Sequence, residues 1–413
     1  MRAMAKEDNL FVGLDIGTTK ICAIVGEINH DTGEVEIVGV GTYPSYGLKR
    51  GVVVNIDNTI QSVKNAVEEA EHMAGCEIRT VFVGIAGGHI KGISGHGMIT
   101  IREREVSRRD LDRVIESANA VLIPADREII HVIPQEYIVD GQSGIKDPIG
   151  IYGIKLETRV HIVTGQVTAA QNLVKCIHGA GMDVADVVLE QLASSEAVLT
   201  EDEKEIGVVL IDCGGGTTDI AIFINGSIRY TENVTLGGDN IDRDIALGLC
   251  TPLAEARKIK EKHGTALSEL VSPDESIEVP SVGGKHLRKI SRKDLAMVIE
   301  PRMEEIFALA KREIKKSGYE EMVPAGAVIT GGSVIMNGTV ELAERVLEMP
   351  VRMGIPTEVG GLSDIIANPV YSTGVGLVLY GADYKGDKKL RIRDENVFKK
   401  IFDSMKNWFQ EFF

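Results

Sequence analysis

Residues 208–223 read VVLIDCGGGTTDIAIF. Val208 to Gly214 is the pattern of a buried strand running into a glycine hinge, with Asp212 closing the apolar run. Gly214, Gly215 and Gly216 follow, then Thr217 and Thr218, then a second apolar run from Ile220 to Ile224. The reading is strand, tight turn, strand. Three glycines permit positive φ and remove side chains, so backbone N–H groups can close on an anion, and the threonines add hydroxyl donors. A carboxylate at the strand tip beside such a nest suits a hydrated Mg²⁺, which keeps most of its water and takes few protein ligands. Taken alone, the stretch is equally well a β-hairpin with a glycine-rich turn.

The design recurs. Phe11–Lys20, FVGLDIGTTK, is an apolar strand with Asp15 at its tip, then Gly17, Thr18, Thr19 and Lys20, and the apolar run Ile21–Val25 follows. Two acid-tipped, threonine-bearing hairpins almost two hundred residues apart suggest an internal duplication that grips a phosphate between its halves. A third glycine element, Ala327–Ser333 (AVITGGS), again follows a strand. In order and spacing this triplet resembles the phosphate-1, phosphate-2 and adenosine motifs of the actin, Hsp70 and sugar-kinase superfamily. The other common phosphate loops, G-x-x-x-x-G-K-[ST] and a strand-bound G-x-G-x-x-G, are missing.

The composition narrows the classes. A chain of 413 residues exceeds one ordinary core and implies two or more domains. A net charge of −16 argues against nonspecific nucleic-acid binding as the main activity. The five cysteines (Cys22, Cys76, Cys176, Cys213, Cys250) are scattered without a C-x-x-C, which reads as buried thiols in a reduced cytoplasm. No run of eighteen apolar residues exists, and the start, MRAMAKEDN, is polar and unlike a secretion signal.

Along the chain, strands are expected through Ile37–Tyr43 and at Thr80–Ile85. An amphipathic helix is expected over Asp57–Ala74, with Ile60, Val63, Val67 and Ala70 on one face. From about Gly84 to Thr164 the character changes to glycine-rich α+β. One helix follows Ser107, whose N-cap is marked by Asp110 three positions on. Strands are expected at Glu128–Pro134, Glu136–Val139 and Val160–Val163. The pieces VGIAGGHI (83–90), HVIPQEYIVDGQSGIKDPIGIYG (131–153) and HIVTG (161–165) closely resemble the bacterial cell-division FtsA family, which carries an inserted subdomain at this point. That resemblance runs from Phe11 to the end of the chain.

The resemblance implies an α/β, actin-like, two-lobed duplicated fold with RNase H-like halves, an inserted small α+β subdomain and a C-terminal amphipathic helix. It divides the chain into 7–83, 165–203 and 366–384 for the first lobe, with 84–164 inserted. The second lobe is 204–240 and 305–365, with a peripheral subdomain over 241–304. A basic linker (385–394) and a terminal helix (395–413) complete it. ATP and Mg²⁺ would lie between the halves. Asp15 and Asp212 would hold hydrated Mg²⁺, Gly17, Thr18, Thr19, Lys20 and Gly214–Thr218 the phosphates, and Gly331, Gly332 and Ser333 the adenosine. Leu236–Asp242 resembles the superfamily's L-G-G-x-x-[FIL]-D turn, which brings Gly237, Gly238 and Asp239 to the nucleotide from the far side.

Several residues keep two readings. Lys175–Leu199 is expected as strand and helix, in the place of the first connecting helix. Glu190 and Gln191 at its start either orient an attacking water or supply a carboxylate to a helix N-terminus. Glu255 and Lys258 lie near the adenosine by resemblance or form a surface ion pair. Asn368–Gly381 resembles the second connecting helix, with Gly374 and Gly376 allowing close packing against the first. Met303–Lys316 is expected as a helix ending at Ser317-Gly318. The basic run Lys285, Arg288, Lys289, Arg292 and Lys293, with Arg302, is either a solvated face or, by resemblance of residues 290–314 to the FtsA family, the surface for the tail peptide of the tubulin-like FtsZ.

Residues 395–413, ENVFKKIFDSMKNWFQEFF, hold the only Trp and five of the nine Phe. At helical spacing Val397, Phe398, Ile401, Phe402, Met405, Trp408, Phe409, Phe412 and Phe413 fill one arc of about 160°. The stretch docks on its own protein or lies in a membrane interface. The aromatic face and the basic residues from Lys385 to Arg393 favour the membrane. The expectation is an ATP-binding protein that forms head-to-tail filaments and tethers the FtsZ ring to the cytoplasmic face of the membrane at the septum. Its inserted subdomain would meet other division membrane proteins. A metabolite kinase of the same superfamily or a pilus-assembly scaffold is the alternative.

Overall fold

Two sheets of identical strand order form the two lobes of the computed structural model, which describes residues 9–29, 32–283 and 286–386. In the first, Val35–Pro44, Lys20–Ile28 and Leu10–Ile16 run antiparallel, and Thr80–Ile85 and Asp183–Leu189 continue in parallel. In the second, Ser227–Val234, Thr218–Ile224 and Val208–Cys213 run antiparallel, and Ala327–Thr330 and Val351–Met353 continue in parallel. The short Gly360–Gly361 strand adds an edge to the first sheet. The central strands are buried on both faces: Thr218–Ile224 is buried at every position. Each fully buried aliphatic side chain there is worth about 1.5–3 kcal/mol.

The duplication extends to the hairpin tips. Gly17 N–H donates to Lys20 O at 3.0 Å, and Gly214 N–H donates to Thr217 O at 3.0 Å. Asp15 faces Cys22 across the first hairpin, and Asp212 faces Asp219 across the second. None of Gly214, Gly215 and Gly216 takes a positive φ, contrary to the expected reason for the triplet. What matters is the missing side chain. A Cβ on Gly215 would lie 2.4 Å from Thr19 Cγ2, and one on Gly216 would lie 2.6 Å from Thr18 Oγ1. The glycines let the tips of the two lobes touch.

The Ile56–Ala74 helix forms as expected, capped by Asn55, and buries Val63, Val67 and Ala70, with Ile60 half-buried. The insertion is a four-stranded sheet ordered Lys91–Thr100, Lys155–Gln166, Arg127–Val139, Gln142–Ile145. The Arg108–Ala118 helix covers it, and Ser107 N–H donates to Asp110 Oδ2 at 3.1 Å in the anticipated cap. The strands expected on either side of Pro134-Gln135 are one continuous strand. The register jumps between Arg159 and Val160, so Gln135 is the extra residue of a bulge, where proline's missing N–H is tolerated. The expected Val160–Val163 strand is the middle of Lys155–Gln166.

The Val167–Gly179 helix precedes the Asp183–Leu189 strand, so Lys175 lies in a helix and the expected strand starts later. The two lobes are joined by the Glu190–Val198 and Ser372–Gly386 helices, which pack closely. A Cβ on Gly376 would lie 1.8 Å from Ala193 O, so that glycine serves the helix contact as expected. Gly374 instead meets Ile24 of the first sheet.

The Arg292–Ser317 helix is much longer than the expected Met303–Lys316 helix. Pro301 lies inside it. It starts after the Ser276–Pro280/Leu287–Ser291 hairpin and buries Leu295, Ile299, Met303, Ile306 and Phe307. Packing on that face outweighs one missing N–H. The cysteines are not uniformly buried: Cys22, Cys176 and Cys213 are, Cys76 is half-buried and Cys250 exposed. No helix among the described residues is long and apolar enough to cross a membrane. Residues 395–413, most of the basic linker and Lys285 lie outside the described residues; the Ser372–Gly386 helix takes in Lys385 and Gly386.

Candidate functional site

The strand tips of both lobes meet where the sheets face each other, and this brings the two hairpins, Glu190 and the Gly331 turn together. Gly51 N–H donates to Thr18 Oγ1 at 3.1 Å, and Gly216 approaches Arg50, so the Arg50-Gly51 turn closes one side. Lys20 Nζ donates to Val370 O at 2.8 Å and stands 4.6 Å over the Tyr371 ring. Its charge lies near both strand-tip acids, where it lowers their pKa values.

Asp212 is held by both connecting helices. Ser194 Oγ donates to its Oδ2 at 2.8 Å and Thr373 Oγ1 at 3.3 Å. Gly331 takes φ of 92°, open to glycine at little cost, and a Cβ there would lie 2.4 Å from Asp212 Oδ1. Glycine at 331 thus keeps that oxygen clear. Gly332 has room, its nearest neighbour being Val370 Cγ2 at 3.8 Å.

The Gly238–Gly248 helix starts on the glycine turn. Gly238 N–H donates to Gly214 O at 3.0 Å, Asp239 N–H to Gly215 O at 2.7 Å, and Ser333 Oγ to Gly214 O at 2.9 Å. Gly237 is required because a Cβ would lie 2.7 Å from Gly214 O. Asp239 is tied to Arg257 at 2.8 Å, and the buried Asp242 to Arg257 at 3.0 Å and to Lys260 at 2.7 Å. From the Leu253–His263 helix it is therefore Arg257 and Lys260 that reach this turn. Glu255 and Lys258 pair with each other at 2.8 Å on the exposed side.

Asp219 is the acid that sequence reasoning passed over. It is buried, and accepts from Asn233 Nδ2 at 2.6 Å, Gln191 Nε2 at 3.0 Å and Thr217 Oγ1 at 3.1 Å. Gln191 is thus engaged with Asp219, while Glu190 lines a small cavity with Ile16, Gly84, His89 and Leu173. The signal was present: Asp219 stands seven positions after Asp212, as Cys22 does after Asp15, and both pairs face each other across their hairpins.

The electrostatics follow from four acids in one apolar setting. Burial pushes Asp15 up to about 6, eased by Lys20 and reinforced by Asp212. Burial takes Asp219 to about 7, against the Asn233 hydrogen bond. Burial raises Asp212 as well, against the hydrogen bonds from Ser194 and Thr373 and the charge of Lys20. Glu190 is raised well above its ordinary value by burial, then by Asp15, Asp219 and Asp212. Such a cluster gains from a cation. Among the described residues no group of three or more His, Cys, Asp or Glu is arranged to hold a metal directly.

The basic residues are placed differently from one another. Arg292 is consumed within the protein, donating to His263 O at 3.0 Å, Glu275 at 2.6 Å and Thr265 Oγ1 at 2.9 Å. Arg302 pairs with Asp244 at 2.5 Å and with Glu305, and Arg288 donates to Leu249 O. Lys289 is exposed and Lys293 half-buried, with no ion pair seen for either among the described residues.

Comparison with known proteins agrees with this architecture. The model of the cell division protein FtsA family matches residues 209–376, and that of the SHS2 domain inserted in FtsA matches residues 87–164. The cell division protein FtsA of Pseudomonas aeruginosa is 51% identical over 93% of this chain and 92% of its own length. That of Escherichia coli K12 is 40% identical over 98% and 96%. Among solved structures, a PilM–PilN type IV pilus biogenesis complex superimposes with a TM-score of 0.66 at 15% identity, covering 90% of this chain and 98% of the other. MreB5 of Spiroplasma citri bound to ADP gives 0.55 at 13%, covering 93% and 100%. The fold is actin-like, with an SHS2 insertion in its first lobe, and the chain belongs to the FtsA family of bacterial cell-division proteins.

Proposed function

We propose that this chain binds ATP with Mg²⁺ between its two lobes and uses the bound state to control assembly at the division site. The observation that carries the reading is the meeting of two equivalent acid-tipped hairpins, with side chains excluded at Gly215, Gly216 and Gly331. Thr18, Thr19 and the Gly214–Thr218 turn are the proposed phosphate ligands, with Gly17 and Lys20 shaping the first turn. Gly331, Gly332, Ser333, Gly237, Gly238 and Asp239 line the proposed nucleoside side, where Glu255 and Lys258 lie further out. Asp15 and Asp212 would hold Mg²⁺ through water. Mg²⁺ would neutralise phosphate charge, and the acid cluster offers the counter-charge it needs. Glu190 is the proposed group for orienting water, with Gln191 positioning Asp219. MreB5 of Spiroplasma citri, which shares the fold, was solved once with ADP and once with AMPPNP, which supports a nucleotide here.

The reading extends to the cell surface. The residues from Val397 to Phe413 named above would lie in the membrane interface, beside the basic linker, and tie FtsZ filaments to the cytoplasmic face at the septum. For the FtsZ tail, the candidate surface is the Leu287–Ser291 strand and the start of the following helix. Lys289 and Lys293 are its available cations, and the exposed Leu287 and Met297 its apolar contacts. Arg292 and Arg302 would have to exchange internal carboxylates for peptide ones. The chain would also associate head to tail, through a heterologous contact that does not close. The insertion would face other division membrane proteins.

Co-sedimentation with anionic liposomes in ATP and Mg²⁺ tests the assembly reading. The full chain should pellet, a chain ending at Asp394 should stay in solution, and FtsZ tail peptide should follow the full chain. Pelleting of both chains, or of neither, contradicts it.

A further inference from the structure

Asp212 sits at the tip of a second-lobe strand, yet its fixed oxygen is held from elsewhere. Ser194, fully buried on the first connecting helix, donates to Oδ2 at 2.8 Å. Thr373, on the second connecting helix, lies 3.3 Å from the same oxygen and 3.0 Å from Ser194 Oγ. The sequence separates these hydroxyls by 179 positions. Each carries one proton. Ser194 gives its proton to the carboxylate, and Thr373 shares its own between the carboxylate and Ser194. Oδ1 has no hydrogen bond among the described residues, and glycine at 331 keeps it unobstructed.

The two helices are locked to each other one position from Ser194, where Gly376 has no room for a Cβ against Ala193 O. A shift of one helix along the other therefore moves one hydroxyl relative to the carboxylate. The equivalent acid of the first lobe, Asp15, has no such hydroxyl pair among the described residues.

We propose that Ser194 and Thr373 are positioning residues: a hydroxyl latch that aims Asp212 Oδ1 at hydrated Mg²⁺ and couples that ion to the packing of the two connecting helices. This rests on the ATP–Mg²⁺ reading above. A hydroxyl that stabilises a buried carboxylate acts on the charged form, which is the form a cation selects. The latch thus serves Mg²⁺-dependent affinity and leaves metal-free nucleotide affinity alone. A merely structural pair would affect both equally.

The test measures the ATP dissociation constant of the full chain in Mg²⁺ and in EDTA, for the wild type, Thr373→Val, Ser194→Ala/Thr373→Val and the conservative Thr373→Ser. Thermal melting of the nucleotide-free proteins checks folding. The expected result is that the gain in affinity on adding Mg²⁺ falls about tenfold in the double variant, less in Thr373→Val, and is restored in Thr373→Ser. Affinity in EDTA stays within about twofold. Hydrogen exchange should show Mg²⁺–nucleotide protecting residues 190–198 and 372–383 in the wild type and losing that effect in the double variant. An unchanged Mg²⁺ gain, or equal losses with and without Mg²⁺, overturns the latch while leaving the nucleotide reading intact. A wild type that binds no ATP in either condition overturns both.

Discussion

The hairpins at Asp15 and Asp212 have the same register, the same turn-closing bond and the same place in their sheets, yet they do different work. The first presents side chains: Thr18, Thr19 and Lys20 around a turn with one glycine. The second presents backbone, because Gly215 and Gly216 are cut back to receive Thr19 and Thr18. Across from Asp15 stands Cys22, whose thiol burial pushes up to about 11, so it stays neutral. Across from Asp212 stands Asp219, a second acid clamped by Asn233, Gln191 and Thr217. Duplication preserved the frame and divided the chemistry: one half brings the donors, and the other brings space and charge.

That division predicts unequal responses. The largest effect belongs to the two strand-tip acids. Asp15→Asn and Asp212→Asn should each weaken ATP binding in Mg²⁺ by about 100-fold, and far less in EDTA, read by titration calorimetry. An effect confined to one of them would break the symmetry of the metal site.

Next comes the acid that has no counterpart in the first lobe. Asp219 ionises near 7 in the folded chain and near 3.8 when unfolded, so between these values the folded state holds the extra proton. Its contribution to stability is full below about pH 4, is lost as pH rises to about 7, and stays lost above. Asn fits the same partners, since its oxygen can accept from Gln191 and Asn233 and its NH₂ can donate to Thr217. The nucleotide-free Asp219→Asn protein should therefore be more stable than wild type by roughly 4 kcal/mol at pH 8, and most of the difference should be gone by pH 4. Melting curves across that range decide the sign.

A smaller effect probes the contact of the tips. Gly215→Ala should cost about 1–3 kcal/mol by overpacking against Thr19. Adding Thr19→Gly should recover most of it, a coupling that a double-mutant cycle reads directly. Smallest of all, Lys258→Ala should leave the melting temperature essentially unchanged, since its pair with Glu255 is exposed.

The hairpins were legible in the sequence because each is local: apolar run, acid, glycine, threonines, apolar run. The helix over 56–74, the cap at Ser107 and the alternating insertion were legible for the same reason. What escaped depends on partners far away in the chain. Asp219 requires the hairpin register, and Ser194 and Thr373 require the packing of two helices. Arg257 and Lys260, rather than Glu255 and Lys258, turn toward the Gly237–Asp242 turn because of how their helix is docked. The Arg292–Ser317 helix ran through Pro301 because a buried apolar face outweighed a local breaker. Arg292 and Arg302 read as surface charge, but Glu275 and Asp244 claim them. The aromatic face and the neighbouring basic residues carry the reading of residues 395–413, which lie outside the described residues.

Phosphate and metal are proposed to sit between the two hairpins. A crystal structure of the full chain with a non-hydrolysable ATP analogue and Mg²⁺ tests this most directly. Phosphates should lie between Thr18–Thr19 and Gly214–Gly216, with Mg²⁺ linked through water to Asp15 and Asp212. A nucleotide bound elsewhere, or a metal remote from both carboxylates, would contradict it.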